Sequence, residues 1–282
     1  MKSYDRDTED VGNLIALEHV NITVPDQRLA TLFYVVGMGF TRDPYLSVGD
    51  ENMWMNLGRQ QFHLPTSGPQ VLRGHVGIVV PDLGALVTRL NGVRDKLAGT
   101  RFGYTEGEGS LTVTCPWGNE LRCYTPQPRF GDMTLGMPYV EFSVARGAAQ
   151  GIARFYEQAF GVGGVLAPDG GSAIIPVGRD QALVFREYDS TVPYDGHHIA
   201  VYVADFAGPH RFLKTRGLVT EESDQHQYRF KDLIDPESGA RLFEIEHEIR
   251  SLTHPMWGRP FVNRNPAQTQ RNYRRGRDAF YG

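Results

Sequence analysis

Three histidines recur at the start of similar segments, and they are the residues through which this sequence could do chemistry. His19, His75 and His198 each precede a run rich in β-branched residues, with Val five positions later and Asp seven positions later. A neutral imidazole on a strand can bind a divalent metal, and it can also move a proton near neutral pH. The spacing therefore predicts one repeated structural position suited to metal or acid–base chemistry.

Glutamates extend this set of candidate residues. Glu141 takes the place of the histidine in a fourth, more diverged segment, because an aromatic pair follows it by fourteen residues, as one follows His19. Glu244 and Glu246 are in phase on the last predicted strand, and alternation places both on one face of a sheet. Two histidines and one carboxylate can hold iron(II) and leave positions open for a substrate and dioxygen.

The elements that would position these residues form a fourfold repeat. The four segments begin 56, 66 and 57 residues apart, and each interval suits one strand, one helix and three more strands. The Asp of each motif is typical of a helix N-cap. Apolar spacing predicts helices over residues 27–36, 83–97 and 206–216. We therefore expect an α+β fold with four βαβββ modules.

The chain divides into four predicted regions. We expect an N-terminal extension over residues 1–13, two modules over 14–128, two modules over 137–250, and a basic C-terminal arm over 251–282. The connection between the second and third modules is rich in Pro and Gly, which favours a domain boundary there. The arm contains six arginines from Arg259 onward and one acid, and we expect it to lie over its own or a neighbouring subunit.

Composition excludes several classes of protein. The 282 residues carry a formal net charge of -4, which disfavours a nucleic-acid partner. No apolar run reaches the roughly 18 residues of a transmembrane helix, and the N-terminus has no apolar core of a signal peptide. We expect a cytoplasmic homo-oligomer that binds no membrane and acts on a small molecule.

The repeat resembles the vicinal oxygen chelate superfamily. The resemblance rests on the strand histidine, the Val-x-Asp helix start and the turn Asp235-Pro-Glu-Ser-Gly239 before an acidic last strand. In that superfamily two modules pair into an open barrel-like cup around a divalent metal. Four modules, and hence two cups, look most like the extradiol and hydroquinone ring-cleaving dioxygenases.

The resemblance implies three alternative ligand sets. The preferred set joins the first and last modules through His19, His198 and Glu244, with His63 nearby and Glu246 as a substitute carboxylate. The usual extradiol arrangement would instead pair Glu141 with His198 and Glu244. A glyoxalase-like site in the first two modules would use His19, His63 and His75, where Arg122 would oppose a dication. We expect iron(II), with manganese(II) as the second choice.

The implied function is ring-cleaving dioxygenation of a small dihydroxylated aromatic compound with dioxygen. His63 or His197 would take the phenol proton, and Tyr228 would hydrogen-bond the phenolate. One alternative is a glyoxalase-like metal-dependent lyase, isomerase or epimerase. Another is a small-molecule binding protein similar to the bleomycin-resistance proteins.

Overall fold

A computed structural model describes residues 4–6, 9–46, 49–265, 269 and 271 of the chain. Each of the four predicted modules is present as one strand, one helix and three further strands. Module one contains β1 (Leu14–Asn21), α1 (Gln27–Ala30) with its π-helical continuation (Thr31–Gly37), β2 (Thr41–Arg42), β3 (Asn52–Leu57) and β4 (Gln60–Pro65). Module two contains β5 (Gly74–Val79), α2 (Leu83–Val93), a 3₁₀ turn (Asp95–Leu97), β6 (Gly103–Gly107), β7 (Ser110–Thr114) and β8 (Glu120–Tyr124).

The second half of the chain repeats the pattern. A 3₁₀ turn (Pro128–Phe130) precedes module three, which contains β9 (Gly136–Ala145), α3 (Ala149–Phe160), β10 (Val165–Leu166), β11 (Ser172–Val177) and β12 (Gln181–Tyr188). Module four contains β13 (His198–Val203), α4 (Ala207–Thr215), β14 (Val219–Asp224), β15 (Gln227–Ile234) and β16 (Arg241–Ser251). The predicted α+β fold class is confirmed.

Strand pairing joins modules that are distant in sequence. The first sheet has the order β14-β15-β16-β13-β1-β4-β3-β2, and the second has the order β10-β11-β12-β9-β5-β8-β7-β6. Module one therefore pairs with module four through antiparallel β1 and β13, and module two pairs with module three through antiparallel β5 and β9. Each sheet is open and is the wall of one cup.

Helix packing joins module one to module two and module three to module four. The helical segment after α1 packs on α2, where a Cβ at Gly37 would approach Val93 to 3.2 Å, and α3 packs on α4. Residues 14–128 and 137–250 thus each hold one helix pair but contribute one module to each sheet. The expected boundary between residues 128 and 137 separates the helix pairs and does not separate the two sheets.

One apolar core links the helices with the sheet faces they cover. The aromatic pairs of the repeat lie in it: Phe33, Tyr34, Phe155 and Tyr156 are fully buried. Burial of the helix-facing side chains leaves the other face of each sheet for polar residues. Within the described part of the chain, no helix has the length and apolar composition needed to cross a bilayer.

Part of the C-terminal arm packs on its own chain. The ring of Trp257 lies 4.7 Å from that of Tyr202, and the side chain of Asn263 exchanges hydrogen bonds of 3.0 and 2.8 Å with the backbone of Gly58. Most of the arm beyond residue 265 lies outside the described residues. The contacts that are described cover one end of the first cup.

Candidate metal centre

A bulge in β1 places His19 in the first cup. The pairing of β1 with β13 shifts register twice, between Leu14 and Ala16 and again between Leu17 and His19. A β-bulge of this kind turns two consecutive side chains toward the same face. His19 Nδ1 consequently lies 3.0 Å from Glu18 Oε2, and both side chains are buried.

The two strands beside β1 bring two more histidines to the same place. Asn21 at the end of β1 pairs with His63 of β4 on one side and with His198 of β13 on the other. One nitrogen from each of His19, His63 and His198 lies within 4.8 Å of the others. The first and last modules therefore assemble a three-histidine cluster, which we call the histidine cluster.

Each imidazole in the histidine cluster has one nitrogen held by an oxygen. His63 Nε2 lies 2.6 Å from Asn52 Oδ1, and His198 Nδ1 lies 3.5 Å from Glu246 Oε1; Glu18 holds His19 in the same way. Metal-binding histidines are commonly oriented by such outer oxygen partners.

The remaining nitrogens fit a metal. His19 Nε2 and His198 Nε2 are buried and make no hydrogen bond within the described residues. An unsatisfied buried polar atom costs about 1–3 kcal/mol, which coordination of a cation would offset. The donor set therefore suits a divalent ion.

Burial keeps two of these imidazoles, those of His63 and His198, in the form that binds metals. Burial, followed by the charges of His19, Arg250 and Arg229, lowers the pKa of His63 to about 2. Burial also holds the pKa of His198 well below its usual range. Both rings are neutral at physiological pH, so a metal would not have to displace a proton from either.

Besides Glu18, two carboxylates of the last strand adjoin the histidine cluster, those of Glu246 and Glu248. Glu246 is the direct partner of His198 in the pairing of β13 with β16, and Glu248 Oε2 lies 3.7 Å from His198 Nε2. Glu244 is two residues earlier, roughly 7 Å along the strand. Its side chain pairs with Lys231 and Arg241, so the structure does not bring Glu244 to the histidine cluster.

Strand register gives Glu248 of module four the same position that His63 has in module one. In every module the residue two positions after the repeated histidine or glutamate pairs with a residue of the last strand. These partners are His63, Arg122, Arg186 and Glu248. Glu248 therefore corresponds to His63 by position. Its phase with Glu244 and Glu246 was visible in the sequence, but the predicted last strand ended at residue 246, whereas β16 continues to Ser251.

Arginines hold the carboxylates of this cup. Arg229 donates to Glu246 at 2.8 Å and to Glu248 at 2.7 Å. Arg250 pairs with Glu248 and with Glu18. Burial raises the pKa of Glu18, but the hydrogen bond to His19 and the charge of Arg250 lead the effects that outweigh it and lower the pKa to about 2.

Two predicted catalytic residues, the proton acceptor His197 and the hydrogen-bond donor Tyr228, lie elsewhere. His197 is buried with its Nδ1 2.6 Å from Asp195 Oδ1, in the loop before β13. Tyr228 lies on the helix side of the first sheet, where its ring is 5.0 Å from Phe206 and 4.9 Å from His210. Neither belongs to the histidine cluster: His197 is held by Asp195 in the loop, and strand alternation turns Tyr228 to the helix side.

The alternative ligands His75 and Glu141 lie in the second sheet. They are direct partners in the pairing of β5 with β9, and His75 Nδ1 is 3.6 Å from Glu141 Oε1. The structure therefore separates them from His19 and His198. They are separated because module two pairs with module three, whereas module one pairs with module four.

A cavity of about 880 Å³ adjoins the first cup. Glu18 and Tyr202 form part of its wall, and residues 256–261 of the C-terminal arm close another side. The Glu18 carboxylate that lines the cavity also accepts a hydrogen bond of 2.8 Å from Tyr202 and contacts His19. A space of this volume can hold a small organic molecule.

No family model matches the sequence, and no curated protein matches it. Solved structures do match the fold. A Bacillus subtilis protein provisionally assigned as a dioxygenase is 15% identical with a TM-score of 0.55, and the match covers 85% of this chain and 86% of that one. Glyoxalase I from Zea mays is 14% identical with a TM-score of 0.54, over 83% of this chain and 92% of that one.

Proposed function

Because the chain has the vicinal oxygen chelate fold, we propose that it is a metal-dependent enzyme acting on a small molecule. The histidine cluster holds one divalent ion, iron(II) first and manganese(II) second. The reaction is ring cleavage of a dihydroxylated aromatic compound with dioxygen. The observation that carries the proposal is the convergence of two buried imidazoles and one partly buried imidazole, and the Nε2 atoms of His19 and His198 make no hydrogen bond within the described residues.

The residues around the histidine cluster have separate roles in binding the metal and the substrate. A bound iron(II) or manganese(II) ion supplies open positions for a phenolate oxygen and for dioxygen. Glu18 and Asn52 fix the ring orientation of His19 and His63. Trp54 stacks on His63 with ring centroids 3.8 Å apart and gives the cup an aromatic wall.

Glu246 is the group that we propose to accept the substrate's phenol proton. Its side chain is 25% exposed, whereas that of Glu248 is 3% exposed, and it lies 3.5 Å from His198 Nδ1. A general base must reach both the substrate and a route for its proton to leave. This assignment replaces both predicted bases, because His197 lies outside the histidine cluster and His63 is one of the proposed ligands.

The second candidate is a glyoxalase-like isomerase or lyase. Two carboxylates, Glu246 and Glu248, flank His198, and either could move a proton on a substrate whose oxygens are polarised by a metal. Such a reaction consumes no dioxygen. Oxygen uptake therefore separates the two candidates.

The first experiment is metal analysis of anaerobically purified protein with His19→Ala, His198→Ala and His75→Ala variants. We expect one iron or manganese ion per chain in the wild type and in His75→Ala, and loss of the ion in the other two. Oxygen uptake is then measured on the iron-loaded protein with a panel of catechols and hydroquinones. Absence of metal from the wild type, or its loss in His75→Ala alone, would refute the proposed site. Metal binding without oxygen uptake, together with isomerisation supported by nickel or zinc, would favour the second candidate.

A further inference from the structure

The second sheet has different residue types at the module positions that form the histidine cluster in the first sheet. His75 and Glu141 stand where the first sheet has His19 and His198. The residues two positions after His75 and Glu141 pair with Arg122 of β8 and Arg186 of β12. In the first sheet the corresponding partners are His63 and Glu248. The four positions that suit a cation in one cup therefore include two guanidinium groups in the other.

Together with Tyr188 we call these residues the arginine cluster: His75, Arg122, Glu141, Arg186 and Tyr188. Glu141 Oε1 lies 3.6 Å from His75 Nδ1 and accepts a hydrogen bond of 3.3 Å from the Tyr188 hydroxyl. Its Oε2 accepts a hydrogen bond of 3.2 Å from Arg186 Nε. Arg122 Nε donates to Glu120 at 2.8 Å. All these side chains therefore face the second cup.

Both arginines act on the same imidazole. Burial, and then the positive charges of Arg122 and Arg186, lowers the pKa of His75 to about 3. The ring is consequently neutral, and its Nε2 is already 3.1 Å from the Tyr139 hydroxyl. The arginines of the first cup use their terminal nitrogens for carboxylates, whereas within the described residues Arg122 and Arg186 use only Nε. The charge of the second cup is therefore less suited to a divalent cation.

The groups of the two arginines that make no hydrogen bond within the described residues are N–H donors. Each arginine uses its Nε for a carboxylate, and neither makes a hydrogen bond through its terminal nitrogens within the described residues. The side chains of Arg122 and Arg186 are 42% and 46% exposed. A guanidinium edge of this kind matches the two oxygens of a carboxylate.

The surface beside the two guanidinium groups is partly apolar. Tyr188 is 40% exposed and Ile174 is 38% exposed. Ile174 pairs with Val184, which is in phase with Arg186 and Tyr188 along β12, so all four share one face. A ligand bound here would meet charged donors at one end and an apolar surface at the other.

We propose that the arginine cluster binds a small organic carboxylate. The carboxylate lies between the terminal nitrogens of Arg122 and Arg186, and its hydrocarbon part lies against Tyr188 and Ile174. The site is separate from the histidine cluster, which lies in the other sheet. The two cups of this chain thus bind ligands of opposite charge.

The test is calorimetric titration of the full-length, metal-free protein with benzoate and, in a separate arm, with inorganic phosphate. Arg122→Gln and Arg186→Gln are compared with Arg211→Gln, an exposed arginine on α4. We expect each cluster variant to weaken benzoate binding about tenfold, the loss of one charge-assisted contact. Arg211→Gln and His198→Ala should bind benzoate as the wild type does. Unchanged thermal unfolding shows that the cluster variants are folded.

Three outcomes would overturn the proposal. The first is no benzoate binding by the wild type. The second is binding that survives both Arg122→Gln and Arg186→Gln or is lost in His198→Ala, because the ligand would then sit elsewhere. The third is phosphate binding as tight as that of benzoate, because the site would then hold an adventitious ion only and its apolar wall would contribute nothing.

Discussion

Glu18 and His19 are neighbours in sequence, yet both side chains point into the first cup. Strict alternation along β1 would have sent one of them into the apolar core. The bulge depends on the pairing of β1 with β13, a strand that is distant in the sequence. Tyr202 of β13, which donates a hydrogen bond to Glu18, is 184 residues away from it. The sequence therefore predicted His19 as a candidate ligand, whereas its carboxylate partner was found only in the structure.

We expect Glu18→Gln to weaken metal binding about tenfold to a hundredfold. The amide would no longer hold the His19 ring through a charged acceptor, and loss of such outer partners typically has this effect. Competition titration with zinc measures the change, and Glu106→Gln on the exposed strand β6 is the matched control. Equal zinc affinity in Glu18→Gln and the wild type would contradict a positioning role for Glu18.

His247 makes stability depend on pH. Burial lowers its pKa from 6.5 to about 4. Between these values the unfolded chain takes up a proton that the folded chain does not, so the free energy of unfolding falls as the pH falls. The full loss is about 3 kcal/mol. Urea unfolding of the metal-free protein at pH 7 and pH 4.5 measures it, and His247→Gln should show a smaller decrease. Equal decreases in both proteins would show that His247 does not contribute.

At the level of secondary structure, the helix starts were predictable from local sequence. Asp26 and Asp82 are the N-caps of α1 and α2, as the repeated motif predicts. In module four the cap position falls one residue later, at Phe206, although Asp205 still accepts a hydrogen bond of 2.9 Å from Gly208 N. The π-helical turn after α1 was not predicted, because the apolar spacing that defines a helix does not distinguish these forms.

We expect Asp26→Ala to lower the free energy of unfolding by about 1 kcal/mol. The Asp26 side chain accepts hydrogen bonds of 2.7 Å from Arg28 N and 3.0 Å from Leu29 N, which have no helical partner at the first turn. Asp26→Asn keeps an acceptor and should retain most of the stability. Urea denaturation of the three proteins is the measurement, and an equal loss in both variants would argue against capping.

For the whole molecule, the C-terminal arm ties the cavity wall to the first module. Arg259 donates to Asp43 Oδ2 at 2.8 Å, and the Asp43 side chain is fully buried. The same carboxylate oxygen accepts a hydrogen bond of 3.1 Å from Gln61, the partner of His19 in the pairing of β1 with β4. The arm is therefore connected through the Asp43 side chain to Gln61, a residue of the strand next to His19. The predicted homo-oligomer stays a prediction.

We expect Arg259→Met to lower the free energy of unfolding by about 3 kcal/mol, because it leaves the buried Asp43 carboxylate without its charged partner. The double variant Asp43→Asn/Arg259→Met should recover part of the loss, because the buried charge is then absent. Urea unfolding of the single and double variants measures the coupling. If the double variant is as unstable as the sum of the single changes, the ion pair does not stabilise the arm.

The sequence by itself determined the repeat, the α+β class and three of the histidine positions, because alternation and helical spacing are local properties that each module carries on its own. The ligand set depended on which modules share a sheet and on the register of strands far apart in the chain. Those long-range pairings place His63 beside His19, Glu248 beside His198, and His75 with two arginines in a separate cup. A shift of one residue in any strand would turn these side chains to the other face, so only the tertiary structure decides which of them meet.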